Sequence, residues 1–389
     1  MKGIKKNLNF SLNNKLTLLV LCLIILVLIF SYFCIGKHVE KMSSGSPLQL
    51  EKLETTGPNY IYSVDFPIFN DSLLATGSVK DNHAYLINPK NGRVLKKIKH
   101  DNGVRVVKIS PNNKYLVSAE VGKFRITDIE TDMTLLSSRG VTITCMDIDP
   151  SSMNLVIGTS GGRVTCYDLI KSLNTRRLHQ KWSKKFGKYR SDRYIHSLAI
   201  TDTGSNIIVG SRDRILRVLD LEEGIEKYTE KVRGRITSVG INPIRNESRR
   251  IVFAVYITGR PGKIMLYELG DITRKIKTIN HKTSREMKGL VFFNNKYIIT
   301  GGSNAVLSIF DISTGKIVQS VNMGSNNFIY SIDLSQRNQL AVGSYRTKLS
   351  LYNVIGNKPE FGSRGDGSGG KYNDIIPIKV KPPSGPGPF

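Results

Sequence analysis

One pattern recurs seven times along this 389-residue chain. Each copy has an alternating apolar stretch, a polar turn, a second apolar stretch that often ends in Gly-Ser, a tight turn and a third stretch. The copies are 39 to 52 residues apart and begin near Ile61, Val104, Ile143, Ile195, Ile236, Met287 and Ile329. This spacing suits four short strands per copy, with insertions in the two longest intervals. Because one copy cannot bury its apolar side alone, we expect a closed ring of neighbouring sheets.

The third stretch of each copy ends in an aromatic, aliphatic or threonine residue followed by an acid or amide. These pairs are Ile87-Asn88, Thr127-Asp128, Tyr167-Asp168, Leu219-Asp220, Tyr267-Glu268, Phe310-Asp311 and Tyr352-Asn353. The pattern resembles the WD-repeat family, whose repeats end a strand with Trp-Asp. The resemblance implies an all-β fold, a seven-bladed β-propeller of four-stranded antiparallel blades, and a role as a protein-binding scaffold.

The chain also departs from that family. Only His100 stands where the family has the His of its Gly-His element, and the turn Asp survives as Asp81 and Asp213. No repeat keeps the complete network of His, Ser or Thr, Trp and Asp. We therefore expect the blades to be held together mainly by strand pairing and apolar packing.

Ring closure makes a further demand, because an unpaired strand edge is a site of aggregation. The seventh copy has no obvious fourth strand after Asn353, and Leu48–Leu53 is predicted to supply it from the other end of the chain. The predicted propeller thus covers residues 48–353. A Gly- and Pro-rich tail over residues 354–389 is predicted to be disordered.

A transmembrane helix is predicted before the propeller. The 21 residues from Leu16 to Gly36 carry no charge, and a helix of that length spans a hydrocarbon core of about 30 Å. A cleaved signal peptide is the alternative, but its apolar region is shorter and ends in small residues, unlike Tyr32-Phe33-Cys34-Ile35. We therefore expect a signal-anchor over residues 16–36, between a basic tail (1–15) and a linker (37–47).

The predicted orientation of this single-pass membrane protein follows from its flanking lysines, because basic flanks stay in the cytoplasm. Lys2, Lys5, Lys6 and Lys15 precede the span, and fewer cations follow it closely. The N-terminus is then cytoplasmic and the propeller lumenal or extracellular. On that side Asn70 and Asn246, which begin Asn-x-Ser tripeptides, are glycosylation candidates.

Motifs for catalysis are weak. The six histidines and four cysteines lack the spacings of a metal site or a disulfide framework. A Gly-x-Gly-x-x-Gly match at Gly365–Gly370 lacks the strand and helix that phosphate binding requires. We expect no catalytic residue, metal or cofactor. An enzyme or cofactor-binding propeller with a site at the channel mouth, built from distant residues, stays open as an alternative.

Charge gives the most specific functional prediction. The net charge of +26 favours anionic partners, although a composition rich in Asn, Lys and Ile is also typical of an AT-biased genome. In a four-stranded blade, the turns between the second and third strands share one face with the links between blades. Cations concentrate there and predict a basic face that binds acidic proteins, with nucleic acid or anionic lipid as alternatives. The predicted partner-binding residues are Lys123, Arg163, Arg212, Arg214, Arg233, Arg235, Arg260, Lys263, Arg346 and Lys348.

Overall fold

The computed structural model describes residues 48–53, 57–68, 71–243, 251–270, 273–281, 286–324 and 327–356. The predicted N-terminal tail, membrane anchor, linker and C-terminal tail beyond Gly356 lie outside these ranges, as do Asn70 and Asn246. Within the described ranges, no helix has the length and apolar character needed to cross a membrane.

Twenty-eight strands of the described residues form seven antiparallel sheets of four strands each. Blade 1 contains β2 (Ile61–Asp65), β3 (Leu74–Ser78), β4 (His83–Asn88) and β5 (Arg93–Lys99). Blade 2 contains β6 (Val106–Ile109), β7 (Tyr115–Glu120), β8 (Lys123–Asp128) and β9 (Thr134–Arg139). Blade 3 contains β10 (Ile143–Ile148), β11 (Asn154–Thr159), β12 (Arg163–Asp168) and β13 (His179–Lys185), with helix α1 (Leu169–Thr175) before its last strand.

The remaining blades follow the same order from the inner to the outer strand. Blade 4 contains β14 (Ile195–Ile200), β15 (Asn206–Ser211), β16 (Ile215–Asp220) and β17 (Glu226–Lys231). Blade 5 contains β18 (Ile236–Ile241), β19 (Ile251–Ile257), β20 (Gly262–Leu269) and β21 (Arg274–His281). Blade 6 contains β22 (Met287–Phe293), β23 (Tyr297–Gly302), β24 (Val306–Asp311) and β25 (Ile317–Asn322). Blade 7 contains β26 (Ile329–Leu334), β27 (Gln339–Ser344), β28 (Ser350–Gly356) and, as its outer strand, β1 (Leu48–Leu53).

The two ends of the chain close the ring, which confirms the strand predicted at Leu48–Leu53. β1 pairs with β28 in antiparallel register, with Leu48 opposite Gly356 and Leu53 opposite Leu351. β28 extends three residues past Asn353, because its partner strand continues to offer backbone groups there. Closure leaves each of the seven inner strands beside two neighbouring blades.

Burial follows strand position within a blade. Every residue of the second strands β11, β19 and β23 is buried, because a blade packs on each of their faces. The outer strand β5 instead alternates exposed and half-buried residues. The apolar clusters cross blade boundaries, as where Val156 and Trp182 of blade 3 pack with Ile195 and Leu198 of blade 4. Each blade therefore depends on its neighbour for its core, as the repeats predict.

Polar side chains also join adjacent inner strands. The Asp65 carboxylate accepts a hydrogen bond from the Ile109 amide of blade 2 at 2.7 Å, and Asp333 accepts one from the Phe66 amide of blade 1 at 2.6 Å. Lys108 of β6 lies between acids of the two neighbouring inner strands, with its ammonium 2.8 Å from Asp65 of β2 and 3.0 Å from Asp147 of β10. Burial, reinforced by the charge of Asp65, raises the pKa of Asp333 to about 7.

Two histidines bond to the second strand of a blade, where the sequence predicted one. The His100 ring lies 2.9 Å from the Ser118 hydroxyl, as expected, and the His281 ring lies 3.4 Å from the Thr300 hydroxyl. The expectation that His100 stood alone was therefore wrong. His281 escaped notice because it precedes its blade by six residues, whereas His100 lies four residues before Val104.

Candidate functional site

One hydrogen bond recurs around the ring and fixes which loops share a face. The amide that opens the turn between the second and third strands donates to a carbonyl in the link before the inner strand. Examples are Val79 to Tyr60 at 3.1 Å, Arg212 to Tyr194 at 2.9 Å and Tyr345 to Phe328 at 2.9 Å. These turns and the blade-to-blade links therefore lie together, and we name this side of the propeller the link face.

Five of the predicted arginines line one cavity on the link face. Arg212 and Arg214 come from the turn between β15 and β16, Arg233 and Arg235 from the link between blades 4 and 5, and Arg260 from the turn between β19 and β20. The cavity encloses about 530 Å³, and we call it the arginine cavity. Its other lining residues are Ser191, Asp192, Gly234, Thr258 and Gly259.

Backbone contacts hold the walls of this cavity against each other. The Arg235 amide donates to the Thr258 hydroxyl at 3.0 Å, and the Thr258 amide donates to the Arg235 carbonyl at 2.9 Å. A Cβ added at Gly234 would lie 1.7 Å from the Thr258 carbonyl oxygen, so only glycine allows this approach. The Arg233-to-Arg235 link is thereby fixed before any ligand binds.

Arg214 occupies a backbone position that normally goes to a different kind of residue. Its φ is +67°, in the left-handed region, where the backbone of residues other than Gly and Asn is strained by about 1 kcal/mol. The corresponding turns of blades 1, 2, 3 and 6 place Asn82, Gly122, Gly162 and Ala305 there. Arg214 is the only cation among these five turn residues, and its side chain lines the arginine cavity.

The acids near the arginine cavity, including Asp192 in its lining, form few ion pairs with its arginines. The Asp213 carboxylate turns inward to the buried Arg217 guanidinium at 2.7 Å. Glu286 lies 2.9 Å from Lys288 and 3.8 Å from Arg235. Burial opposes the ionisation of Glu286, but the nearby Lys288 ammonium outweighs this effect, so the pKa of Glu286 falls below its ordinary value. Among the described residues, none forms an ion pair with four arginines of the cavity: Arg212, Arg214, Arg233 and Arg260.

A second cavity of about 500 Å³ adjoins the first across the Arg233-Gly234 link and the turn that holds Arg260. Lys263 lines this second cavity, as do Lys231 and Lys275. Glu230 neutralises Lys275 at 3.2 Å. The basic surface therefore continues from blade 4 over blade 5, and six of the ten predicted residues belong to it.

The other four predicted residues lie on different blades. Lys123 lies 2.6 Å from Asp101 and 3.9 Å from Glu120, so its charge is already compensated and it makes a poor docking group. Arg163 opens β12 and its guanidinium donates to the Ser183 hydroxyl at 3.1 Å. Arg346 and Lys348 are exposed in the turn between β27 and β28 of blade 7, away from the arginine cavity.

Sequence reasoning did not identify the aromatic residues that cluster around Tyr345 on the link face. Tyr60, Tyr62, Phe328 and Tyr330 join it where blade 7 meets blade 1. A signal was available, because Ile61-Tyr-Ser-Val-Asp65 and Ile329-Tyr-Ser-Ile-Asp333 carry tyrosine at the same repeat position.

His196 is a titratable side chain of the inner strand β14. Burial, with help from Lys288, lowers the pKa of His196 to about 4, so this ring is neutral at pH 7. Within the described ranges, no group of three or more His, Cys, Asp or Glu residues is placed to hold a metal ion.

Comparisons with known proteins agree with this architecture. The chain is similar to the solved β-propeller domain of Cps50 (Swd1) from Myceliophteria thermophila, with a TM-score of 0.63 over 79% of this chain and 100% of that one. The chain has a WD-repeat-like fold. At 16% sequence identity, this likeness concerns the fold alone.

Among curated proteins, a 120-residue segment of the chain is 27% identical to the U3 small nucleolar RNA-associated protein 12 of Saccharomyces cerevisiae. The match covers 31% of this WD-repeat-like chain but only 12% of that larger protein. No protein-family model matches the chain.

Proposed function

We propose that this chain is a membrane-anchored, non-catalytic propeller scaffold that docks an acidic protein partner in the arginine cavity. The observation that carries the proposal is the convergence of Arg212, Arg214, Arg233 and Arg260, which have no acid partner among the described residues. Guanidinium groups donate pairs of hydrogen bonds to carboxylates, and such pairs are stronger and more specific than single bonds. An acidic segment therefore supplies what the cavity lacks.

Preorganisation supports a binding role. The bonds between Arg235 and Thr258 fix the cavity walls, so a ligand does not have to order them. Charges held this way steer an oppositely charged partner and contribute to the selection among partners. The continuous basic surface over the two cavities suits a peptide segment or loop longer than one side chain.

Nucleic acid is the second candidate, because arginine also binds phosphate. Proteins that bind single strands combine cations with aromatic rings on which bases stack. No aromatic residue is among the described residues that line the arginine cavity. The composition of the lining therefore favours a protein partner over a nucleic-acid strand.

The proposed anchor is the 21-residue apolar segment 16–36, with the N-terminus in the cytoplasm and the propeller in a lumen or outside the cell. β1 runs toward the link face from Leu48, which pairs with Gly356 at the far end of β28. The chain thus enters the propeller from the face opposite the arginines. An anchor attached there would leave the link face turned away from the bilayer and free for a partner.

The docking proposal is tested with two charge-reversal variants of the full chain. One is R212E/R214E/R233E/R235E in the cavity, and its matched control is K90E/K114E/K171E/K316E, which makes the same change in net charge at exposed residues outside the cavity. Partners identified by proximity labelling of the wild type should co-purify with the control and be lost with the cavity variant. Retention by the cavity variant would contradict the proposal.

A single substitution separates binding from folding. Arg214→Gly removes one cavity cation and relieves the strain at φ +67°, so it should leave the melting temperature equal or higher while binding weakens. Weaker binding together with a lower melting temperature would instead mean that Arg214 has a structural role.

The anchor and its orientation need their own test. In microsomes, glycosidase treatment should shift the chain on a gel if Asn70 or Asn246 faces the lumen. Added protease should then spare the propeller. A propeller that is digested and shows no shift would contradict the proposed orientation.

A further inference from the structure

Five aromatic rings form a continuous cluster on the link face where blade 7 meets blade 1. Tyr62 and Tyr330 stack with ring centroids 3.8 Å apart, and Tyr60 contacts Tyr345 edge to face at 5.3 Å. Phe328 lies 6.1 Å from Tyr345 and 6.4 Å from Tyr330. We call these five residues the aromatic arc.

The aromatic arc is accessible and rigid. None of its rings is fully buried, and Phe328 is 36% exposed. The buried side-chain oxygen Oδ1 of Asn327 accepts hydrogen bonds from the backbone amides of Phe328 at 2.9 Å and Arg346 at 3.0 Å. The Tyr345 amide donates to the Phe328 carbonyl at 2.9 Å. The loops that carry the rings are therefore held in place, so a ligand gains apolar contact at a low cost in ordering.

Cations border the aromatic arc. The Lys80 ammonium lies 4.8 Å from the centre of the Tyr60 ring, and the Arg346 guanidinium lies 5.8 Å from the centre of the Tyr345 ring. Lys348 follows in the same exposed turn. Among the described residues, no acid forms an ion pair with Lys80, Arg346 or Lys348. An apolar centre bordered by unpaired cations is the composition of a protein-binding site for an acidic partner.

The ring geometry limits the kind of occupant. Tyr62 and Tyr330 use their faces on each other, and the remaining contacts are edge to face or tilted. No two of the five rings leave a parallel gap for a planar base between them, so a base would have to stack on a single outer face. A peptide side chain that packs on Phe328 needs no such slot, and its neighbours can present carboxylates to the border.

We propose that the aromatic arc is a second docking site, which takes a large apolar side chain flanked by acidic residues in a protein partner. This site is independent of the arginine cavity, which lies on blades 4 and 5. A partner that engages both sites would cross the mouth of the central channel and gain affinity from the linkage.

The test uses dye-labelled synthetic peptides and the full chain in detergent. The probes are Glu-Glu-Trp-Glu-Glu, the same peptide with Ala for Trp, and Lys-Lys-Trp-Lys-Lys. Fluorescence anisotropy should show the first binding about tenfold more tightly than the second, a difference of about 1.4 kcal/mol. The third should not bind. Equal binding of the Trp and Ala peptides, or binding of the lysine peptide, would overturn the proposal.

Two variants locate the preference for tryptophan. Phe328→Ala removes a ring that is 36% exposed and lies outside the buried apolar clusters, so it should abolish the Trp-over-Ala preference and lower the melting temperature by only a few degrees. The R212E/R214E/R233E/R235E variant should keep that preference even where its overall affinity for acidic peptides falls. If Phe328→Ala keeps the preference, the aromatic arc is not the site. If the arginine variant loses the preference while Phe328→Ala keeps it, the side chain binds in the arginine cavity instead.

Discussion

Ring closure by β1 gives the sharpest test of the fold. Leu50 packs against the apolar cluster of blades 6 and 7, and Leu53 packs against the cluster that joins blades 7 and 1. Full burial of a leucine side chain contributes about 1.5–3 kcal/mol, so two half-buried leucines contribute about 1.5–3 kcal/mol together. Replacing both with aspartate also places charge beside apolar surface. We expect L50D/L53D to lower the free energy of unfolding by about 3–4 kcal/mol.

The assay is a thermal melt of the full chain in detergent, with hydrogen exchange of the β28 amides as a local readout. At about 2.1 cal/mol/K per residue, a propeller of about 300 residues loses about 1.5 °C per kcal/mol, so the melting temperature should fall by about 5–6 °C. The matched control is L95D/I276D, on outer strands β5 and β21, where the two side chains are 50% and 45% exposed. Because these side chains bury less surface and close no sheet edge, the control should lose no more than about half as much as L50D/L53D. Equal losses in both variants would refute closure by β1.

Three further predictions concern buried groups. Burial in the folded state raises the pKa of Asp333 to about 7. The protonated carboxyl therefore adds its full contribution to the free energy of unfolding below about pH 4, and this contribution is lost as the pH rises through 7. The slope is at most about 1.4 kcal/mol per pH unit. The gain in urea stability of Asp333→Asn over wild type should therefore grow between pH 4.5 and 7.5, and a constant difference would contradict this. Arg217→Ala leaves the Asp213 carboxylate buried and unpaired, so it should lower the free energy of unfolding in urea by about 3 kcal/mol. Arg217→Lys should lower it less, and a loss below about 1 kcal/mol for Arg217→Ala would disprove the role of the pair. Burial raises the pKa of the Cys166 thiol to about 12, so iodoacetamide at pH 8 should label this thiol only after unfolding. Mass spectrometry of the Cys166 peptide measures the labelling, and rapid labelling of the native chain would contradict the burial.

The seven blades could be predicted because each repeat carries its own complete signal. Alternating apolar stretches and glycine-containing turns specify a meander locally, and the repeated spacing implies that the meanders stack. The closing strand could be predicted for the opposite reason. Blade 7 lacked a fourth strand, and Leu48–Leu53 was left over at the other end of the chain.

The arginine cavity could be predicted only in part. Strand alternation places Arg212, Arg233 and Arg260 on one face, but their convergence depends on the close approach of Gly234 to Thr258. No local pattern encodes that approach. The strain at Arg214 was equally hidden, because a left-handed turn residue is recognised from sequence mainly when it is Gly or Asn.

Charge pairing and long-range contacts account for the remaining differences between the predicted and the observed functional surfaces. Lys123 is paired mainly with Asp101, which lies 22 residues earlier in the chain, so its charge looked available when only its own turn was considered. The aromatic arc brings Tyr62 beside Tyr330, 268 residues apart, and only the closed ring makes them neighbours. Contacts between the first and last blades are the part of a propeller that repeat analysis describes least.

The central claim, that the arginine cavity is the docking site for acidic segments, is tested most directly by one titration. A dye-labelled peptide of eight glutamates is titrated with the full wild-type chain, R212E/R214E/R233E/R235E and K90E/K114E/K171E/K316E at about 0.15 M salt. The account predicts binding at least about tenfold weaker for the cavity variant and unchanged for the control, because affinity depends on the converging arginines and only weakly on distant exposed charges at this ionic strength. Equal losses in the two variants, or no loss in either, would contradict it.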